Sequence, residues 1–108
     1  MANKKDLPLE SVFQDRVLKK LREIPGSWWV KINDRTTIGL PDILGFCAGV
    51  GFAIELKTKS KLSAIQAYTL RKIDASGAQT FVATPDNIDE ILIYIRKVSL
   101  LGNKKSAP

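Results

Sequence analysis

The spacing of hydrophobic residues predicts a helix at the start of the chain. The apolar positions lie three or four residues apart and would line one side of a helix; they are Leu9, Phe13, Val17, Leu21 and Ile24. Pro8 suits the first helical turn, and Pro25 with Gly26 would end the helix. We therefore expect an amphipathic helix over residues 8–24.

Three strands are predicted to follow this helix. Residues 28–33 are rich in aromatic and β-branched side chains, which favour a strand. Residues 34–40 form a polar loop that leads to Pro41 and to a second strand over residues 42–47. Ala48 and Gly49 are a natural two-residue turn, so a third strand over residues 50–58 should return antiparallel as a hairpin.

The second half of the chain reads as helix, strand and helix. Ser63 with Gln66 forms a capping box that opens a helix running to about Ser76, where Gly77 is the expected left-handed terminator. A fourth strand is expected over residues 79–83. Asn87 with Glu90 resembles a second capping box and would open a last helix through about Leu101.

These elements predict an α/β fold with a mixed sheet, in the order α-β-β-β-α-β-α. The third strand, the Ser63 helix and the fourth strand form a β-α-β unit, which should cross over right-handed and leave its two strands parallel. The hairpin adds antiparallel strands, so a mixed four-stranded sheet flanked by helices results. With 108 residues we expect one domain over residues 1–101 and a flexible, solvated tail over residues 102–108.

Composition narrows the chemistry that this domain could carry. No apolar run approaches the roughly 18 residues of a membrane span, and no secretory signal is visible after Met1, so an intracellular, cytoplasmic location is expected. The chain has no histidine and one cysteine, Cys47, which excludes histidine-based catalytic triads and an internal disulfide. Carboxylate, lysine and hard-metal chemistry remain.

The charge balance is basic. Seventeen Lys and Arg residues against eleven Asp and Glu residues give a net charge of +6 and a pI near 9.6. Such a charge is typical of proteins that bind polyanions such as nucleic acid, although basic charge is also found in proteins that bind none.

The hairpin brings two carboxylates together. If Ala48 and Gly49 form a two-residue turn, counting back from the turn places Asp42 opposite Glu55. Side chains alternate along a strand, so Lys57 shares the face of Glu55, whereas Ile43 and Ile54 share the other face.

Two opposed carboxylates would need a compensating positive charge. A divalent cation that prefers oxygen ligands, Mg²⁺ or Mn²⁺, could lie between Asp42 and Glu55, and it would promote phosphodiester hydrolysis by lowering the pKa of a water and polarising a phosphoryl oxygen. A simpler interpretation is that Asp42 follows a turn proline and that Glu55 and Lys57 form the solvent side of a strand. A bulge within residues 45–51 would also shift the pairing.

The arrangement of these residues resembles a known nuclease signature. Gly39-Leu40-Pro41-Asp42, twelve intervening residues and Glu55-Leu56-Lys57 resemble the PD-(D/E)xK nuclease superfamily. The pattern Gln66, Leu70, Ile73 and Gly77 is similar, more narrowly, to the VRR-NUC (virus-type replication-repair nuclease) group and to Holliday junction resolvases.

This resemblance implies a restriction-endonuclease-like core and a set of site residues. Asp42, Glu55 and the backbone carbonyl of Leu56 would hold the metal, Lys57 would be the catalytic lysine, and Gln66 would line the site in addition to its capping role. Glu10 matches an acidic residue on the first helix of many relatives that contacts the metal directly or through water, although acids in a first turn also complement the helix dipole.

Further residues are candidates for contact with nucleic acid. Four basic residues flank the site in sequence and could hold phosphates, or they could be solvated surface groups: Lys31, Arg35, Lys59 and Lys61. Trp28 and Trp29 point to opposite faces of one strand, so at least one should be in the core. The other is available to stack on a base or to lie in a subunit contact.

The predicted function is a Mg²⁺- or Mn²⁺-dependent endonuclease that cuts DNA in replication or repair. The resemblance to resolvases implies branched DNA as substrate and a homodimer with two sites. A nucleic-acid-binding module of the same fold without catalysis is the main alternative. An interaction domain whose charge only confers solubility is the third.

Overall fold

A mixed sheet and three helices make up the fold. The structure, a computed structural model, describes residues 9–33 and 36–102. The elements in chain order are α1 (Glu10–Arg22), β1 (Ser27–Lys31), β2 (Ile43–Cys47), β3 (Val50–Leu56), α2 (Ala64–Ala75), β4 (Gln79–Ala83) and α3 (Ile88–Leu101). The predicted mixed α/β class with four strands is thereby confirmed. Among the described residues, no helix has the length and apolar character needed to cross a bilayer.

The sheet has the strand order β1-β2-β3-β4. The first three strands are antiparallel neighbours, and β4 runs parallel to β3, as the β-α-β unit predicted. Cys47 pairs with Val50 and Ile43 pairs with Ile54, so the predicted hairpin register is confirmed and no bulge shifts it. The turn has positive φ at both central residues, 51° at Ala48 and 84° at Gly49, which is the turn geometry that matches the twist of a tight hairpin.

The two faces of the sheet are covered unequally. On the α1/α3 face, helices α1 and α3 pack against the sheet over one apolar core, which includes Phe13, Leu21, Trp29, Ile43, Phe52, Ile54, Leu92 and Ile95. Burying each of these large side chains contributes about 1.5–3 kcal/mol. On the opposite face, called the α2 face, helix α2 packs against β4 and buries Leu70, while Trp28 of β1 and Phe46 of β2 stay exposed.

Several predicted boundaries differ from the observed ones by one or two residues. Strand β3 ends at Leu56 rather than at residue 58, because the last bond to its neighbour is the N–H of Lys57 donated to the carbonyl of Ala83, where β4 also ends. Helix α1 begins at Glu10, and the predicted first-turn Pro8 lies outside the described residues. Residues 103–108, the larger part of the predicted tail, also lie outside them.

One of the two predicted capping boxes is correct. The Ser63 hydroxyl accepts the N–H of Gln66, and the Gln66 carboxamide accepts the N–H of Ser63 at 2.9 Å. The second box is wrong, because the Asn87 side chain turns back toward β4 and makes no cap bond to α3. It accepts the N–H of Thr84 at 2.7 Å and donates to the carbonyl of Val82 at 3.0 Å.

Gly45 allows the Trp29 ring to enter the core. A Cβ at residue 45 would lie 2.2 Å from Trp29 Cε3 and 2.4 Å from the Trp28 carbonyl oxygen, and the second of these is backbone that cannot move aside cheaply. We therefore expect Gly45→Ala to lower the free energy of unfolding by about 1–3 kcal/mol or more. Urea denaturation followed by circular dichroism measures this loss.

Gly51→Ala is the matched control for that substitution. A Cβ at residue 51 would meet Phe46 at 3.4 Å and Ala78 at 3.6 Å, which is ordinary contact. We expect stability within about 0.5 kcal/mol of the wild type. Equal stability of both variants would contradict the packing of Trp29 on Gly45.

Candidate functional site

Asp42 terminates the ladder between β2 and β3. Its main-chain carbonyl accepts the N–H of Ile32 at 2.8 Å, and its Oδ2 accepts the N–H of Leu56 at 2.7 Å. The N–H of Leu56 is the donor that the next rung of the ladder would use, so the carboxylate takes the place of a strand carbonyl. The Asp42 side chain is therefore held at the end of β2 by a backbone donor. The sequence pattern did not indicate this structural role.

Glu55 lies one step beyond the Ile43–Ile54 pair and faces Asp42, as predicted. It is only 2% exposed and is the one charged or polar residue among the described residues that is fully buried. Its Oε1 accepts a hydrogen bond from Gln66 Nε2 at 3.3 Å. Its Oε2 is buried, and no donor among the described residues reaches it.

The surroundings of Glu55 favour its protonated form in the chain alone. Burial is the main cause, and the hydrogen bond and the negative charge of Asp42 add to it, so the pKa of Glu55 rises to about 8. The charge of Glu10 raises this pKa further, whereas the ammonium of Lys57 lowers it. The side chains next to Glu55 therefore contribute more negative than positive charge.

The buried Oε2 of Glu55 shows whether these residues could bind a cation. A buried acceptor that faces a second carboxylate needs either a proton or a positive ion between the two groups. The Leu56 carbonyl is on the same edge of β3 as its N–H, so it also points toward Asp42. Two carboxylates and a carbonyl that converge are oxygen ligands of the kind that Mg²⁺ and Mn²⁺ prefer. The residues present therefore fit a hard divalent cation.

Glu10 is placed less closely than Asp42 and Glu55. It is exposed in the first turn of α1, and its charge reaches Glu55 electrostatically. Across residues 9–33 and 36–102, no three His, Cys, Asp or Glu side chains are grouped closely enough to hold a metal ion. Helix α1, which carries Glu10, packs on the α1/α3 face, whereas the register places the Glu55 side chain on the α2 face.

The predicted basic residues separate into two groups. Lys57 is half-buried beside Glu55, and Lys59 and Lys61 are exposed on the loop that leads from β3 to α2. Lys31 pairs with Ile43, which places it on the α1/α3 face, where its Nζ lies 4.0 Å from Asp15 Oδ1. The structure thus does not bring Lys31 to the face of Glu55. Arg35 lies outside the described residues.

Helix α2 positions one side chain of the site and packs against the loop that precedes Asp42. Gln66 combines its capping role with the hydrogen bond to Glu55, so the fixed start of the helix also fixes a donor in the site. Gly39 has a φ of 84°, and a Cβ there would lie 2.8 Å from Ile65 Cγ1 and 3.1 Å from Thr69 Oγ1. This close approach brings the loop before Asp42 against α2. The sequence pattern included Gly39 without giving the reason for it.

Comparisons with known proteins do not identify the chain. No protein-family model matches it, and no curated protein sequence does. The functional interpretation therefore depends on the geometry of the site and on the sequence motifs.

The raised pKa of Glu55 makes stability depend on pH. Unfolded Glu55 titrates near its ordinary value of 4.5, whereas in the fold it titrates at about 8. Between these values the unfolded chain has released a proton that the folded chain retains, so the free energy of unfolding falls as pH rises. In EDTA we expect a loss on the order of 1–3 kcal/mol between about pH 5 and about pH 8.

Glu55→Gln separates this effect from general pH dependence. The amide cannot ionise, so the variant should lose little stability over the same range and should be more stable than the wild type at the alkaline end. Glu23→Gln, which replaces an exposed carboxyl at the end of α1, should follow the wild type. Parallel pH profiles for the wild type and Glu55→Gln in thermal denaturation would refute the assignment.

Proposed function

We propose that this chain is a metal-dependent nuclease that hydrolyses DNA phosphodiester bonds with Asp42, Glu55 and Lys57. The observation that carries the proposal is the buried Oε2 of Glu55, which receives no donor from the described residues and faces a second carboxylate. Such a carboxylate is costly to keep in a fold unless a cation or a proton offsets it. The resemblance to PD-(D/E)xK nucleases supports the same residues independently of this geometry.

Each residue of the site has a separate role in the proposed reaction. A bound Mg²⁺ or Mn²⁺ would supply Lewis-acid chemistry at the phosphodiester. Asp42 is oriented for this by the N–H of Leu56, and Glu55 is oriented by the Gln66 amide. The Lys57 ammonium would donate to the attacked phosphate and stabilise the charge that develops there.

Electrostatics favour a nucleic-acid substrate for this site. The chain has a net charge of +6, and Lys57, Lys59 and Lys61 alternate along the segment that leaves β3. This segment adjoins the carboxylate pair, so lysines would contact the phosphates on either side of the scissile bond. We extend the proposal to branched DNA and to a homodimer with two sites, because the resemblance to resolvases implies both.

The catalytic proposal predicts a large loss of cleavage in two variants. Asp42→Ala removes a proposed ligand and Lys57→Ala removes the ammonium, so each should reduce cleavage of a synthetic four-way junction by about 100-fold or more. Cleavage is measured with Mn²⁺ and with Mg²⁺, with a linear duplex of the same sequence as the reference substrate. Faster cutting of the junction would support the structure-specific part of the proposal.

Lys97→Ala is the charge-matched control. Lys97 is exposed on α3, on the other side of the sheet, so its loss lowers the net charge by the same amount as Lys57→Ala. Undiminished cutting by Asp42→Ala and Lys57→Ala would refute the assignment of the site. Salt-dependent binding without cleavage by the wild type would instead indicate a binding module. Sedimentation equilibrium tests the dimer against the 12.0 kDa of one chain.

Lys59 and Lys61 are predicted to contribute to binding through phosphate contacts. The logarithm of the DNA association constant should fall linearly with the logarithm of salt concentration, and each lost phosphate contact should reduce that slope by about 0.9. The double variant Lys59→Ala, Lys61→Ala should therefore have a slope that is shallower by up to about 1.8. Fluorescence anisotropy over a salt series measures it, and an unchanged slope would exclude these contacts.

A further inference from the structure

We infer that Trp28 and Phe46 form an aromatic platform on the α2 face on which unpaired bases of DNA stack beside the proposed active site. This inference rests on the proposed function, because it assigns part of the substrate to a surface next to that site.

The two rings stand next to each other on adjacent strands. Trp28 is paired directly with Phe46 in the β1–β2 register, and the two residues are 60% and 58% exposed. Phe46 is in turn paired with Gly51 of β3, which has no side chain to cover it. The Phe46 Cε1 atom lies 3.4 Å from the position of a Cβ at residue 51. The row Trp28, Phe46 and Gly51 therefore presents two exposed aromatic side chains on directly paired strands.

The platform is continuous with the carboxylate pair. Residues of one strand that are an even number apart share a face, so Phe46 and Asp42 lie on the same side of β2. They are four positions apart, a distance of about 14 Å along the strand. Val30 and Leu44, which form the pair between the two rows, are partly buried and uncharged. A nucleic-acid strand bound at the site could thus extend to the platform over uncharged side chains.

The size of the platform favours bases over a second copy of the chain. From side-chain areas of about 150–250 Å² each, the two exposed rings offer about 250 Å² together. A stable protein dimer buries roughly 800 Å² on each partner. Flat bases need far less area, and each base that stacks on an aromatic ring contributes about 1–3 kcal/mol.

Two lysines belong to segments of the same α2 face. Lys57 is at the site end, and Thr69 of α2 lies against the loop at Gly39. Lys72 follows Thr69 by one helical turn on the same flank of α2, with its Nζ 5.9 Å from the Tyr68 ring centre. Aromatic rings and cations on one face are typical of surfaces that bind single-stranded nucleic acid.

The chain contains its own reporter for a test. It has two tryptophans, of which Trp29 is 3% exposed, so quenching of fluorescence by a bound base would come from Trp28. We expect a twelve-residue oligothymidylate, added in EDTA, to quench the wild type. Trp28→Leu should abolish the quenching and weaken binding in fluorescence anisotropy by about 5-fold to 100-fold.

Matched variants keep the test decisive. Phe46→Leu retains Trp28 and an apolar side chain, so it should weaken binding while leaving part of the quenching. Ile93→Ala, which removes an equally exposed apolar side chain from α3, should bind as the wild type does. Unfolding temperature checks each variant, and Phe46→Leu carries the test if Trp28→Leu does not fold.

The outcomes separate this inference from the proposed function. Wild-type affinity in both Trp28→Leu and Phe46→Leu, or absence of quenching in the wild type, would overturn the platform. A wild-type dimer that becomes a monomer in Trp28→Leu would also overturn it, because the surface would then join two copies. Cleavage is assayed separately with Mn²⁺: cutting that is independent of Trp28 refutes the platform alone, and quenching without any cutting refutes the nuclease alone.

Discussion

A buried carboxylate of which only one oxygen receives a hydrogen bond is the constraint on which the candidate site depends. Glu55 places one oxygen on Gln66 and leaves the other facing Asp42. Leaving a buried polar group unpaired costs about 1–3 kcal/mol, and more for a charged group. The protonated state offsets this cost in the chain alone, and a hard cation would offset it while keeping both carboxylates ionised. The same geometry therefore links stability, pH and metal affinity.

The scaffold holds this pair through a few local interactions. The tight turn at Ala48 and Gly49 fixes the register of β2 and β3, and the register in turn places Asp42 opposite Glu55. The capping box at Ser63 fixes the first turn of α2 and so the position of the Gln66 amide. A shift of one residue in the hairpin would move every side chain of β3 to the other face. The chemistry of the site therefore depends on a turn that is remote from it.

Features set by local sequence were predictable, and features set by tertiary contacts were not. The register followed from counting residues back from the turn, and the Ser63 box followed from its own four residues. Asn87 has the same local pattern, but β4 offers its side chain a stronger alternative at Thr84 and Val82. Likewise, the hydrogen bond from Leu56 to Asp42 depends on how the loop before Asp42 packs. The position of Glu10, outside any group of three possible metal ligands among the described residues, depends on how α1 packs. No local spacing encodes such contacts.

The unequal cover of the two sheet faces agrees with the position of the proposed site. In the proposed function, a substrate as broad as a nucleic acid would reach Asp42 and Glu55 from the α2 face, because α1 and α3 fill the other one. Helix α2 must lie over β3 and β4 to bring Gln66 to Glu55, which leaves β1 and β2 as the open approach. A helix across β1 and β2 would bury Trp28 and Phe46 and add stability, but it would block that approach. Under the proposed function, the exposed aromatic side chains therefore lie on the side of the sheet from which a nucleic acid would reach the carboxylate pair.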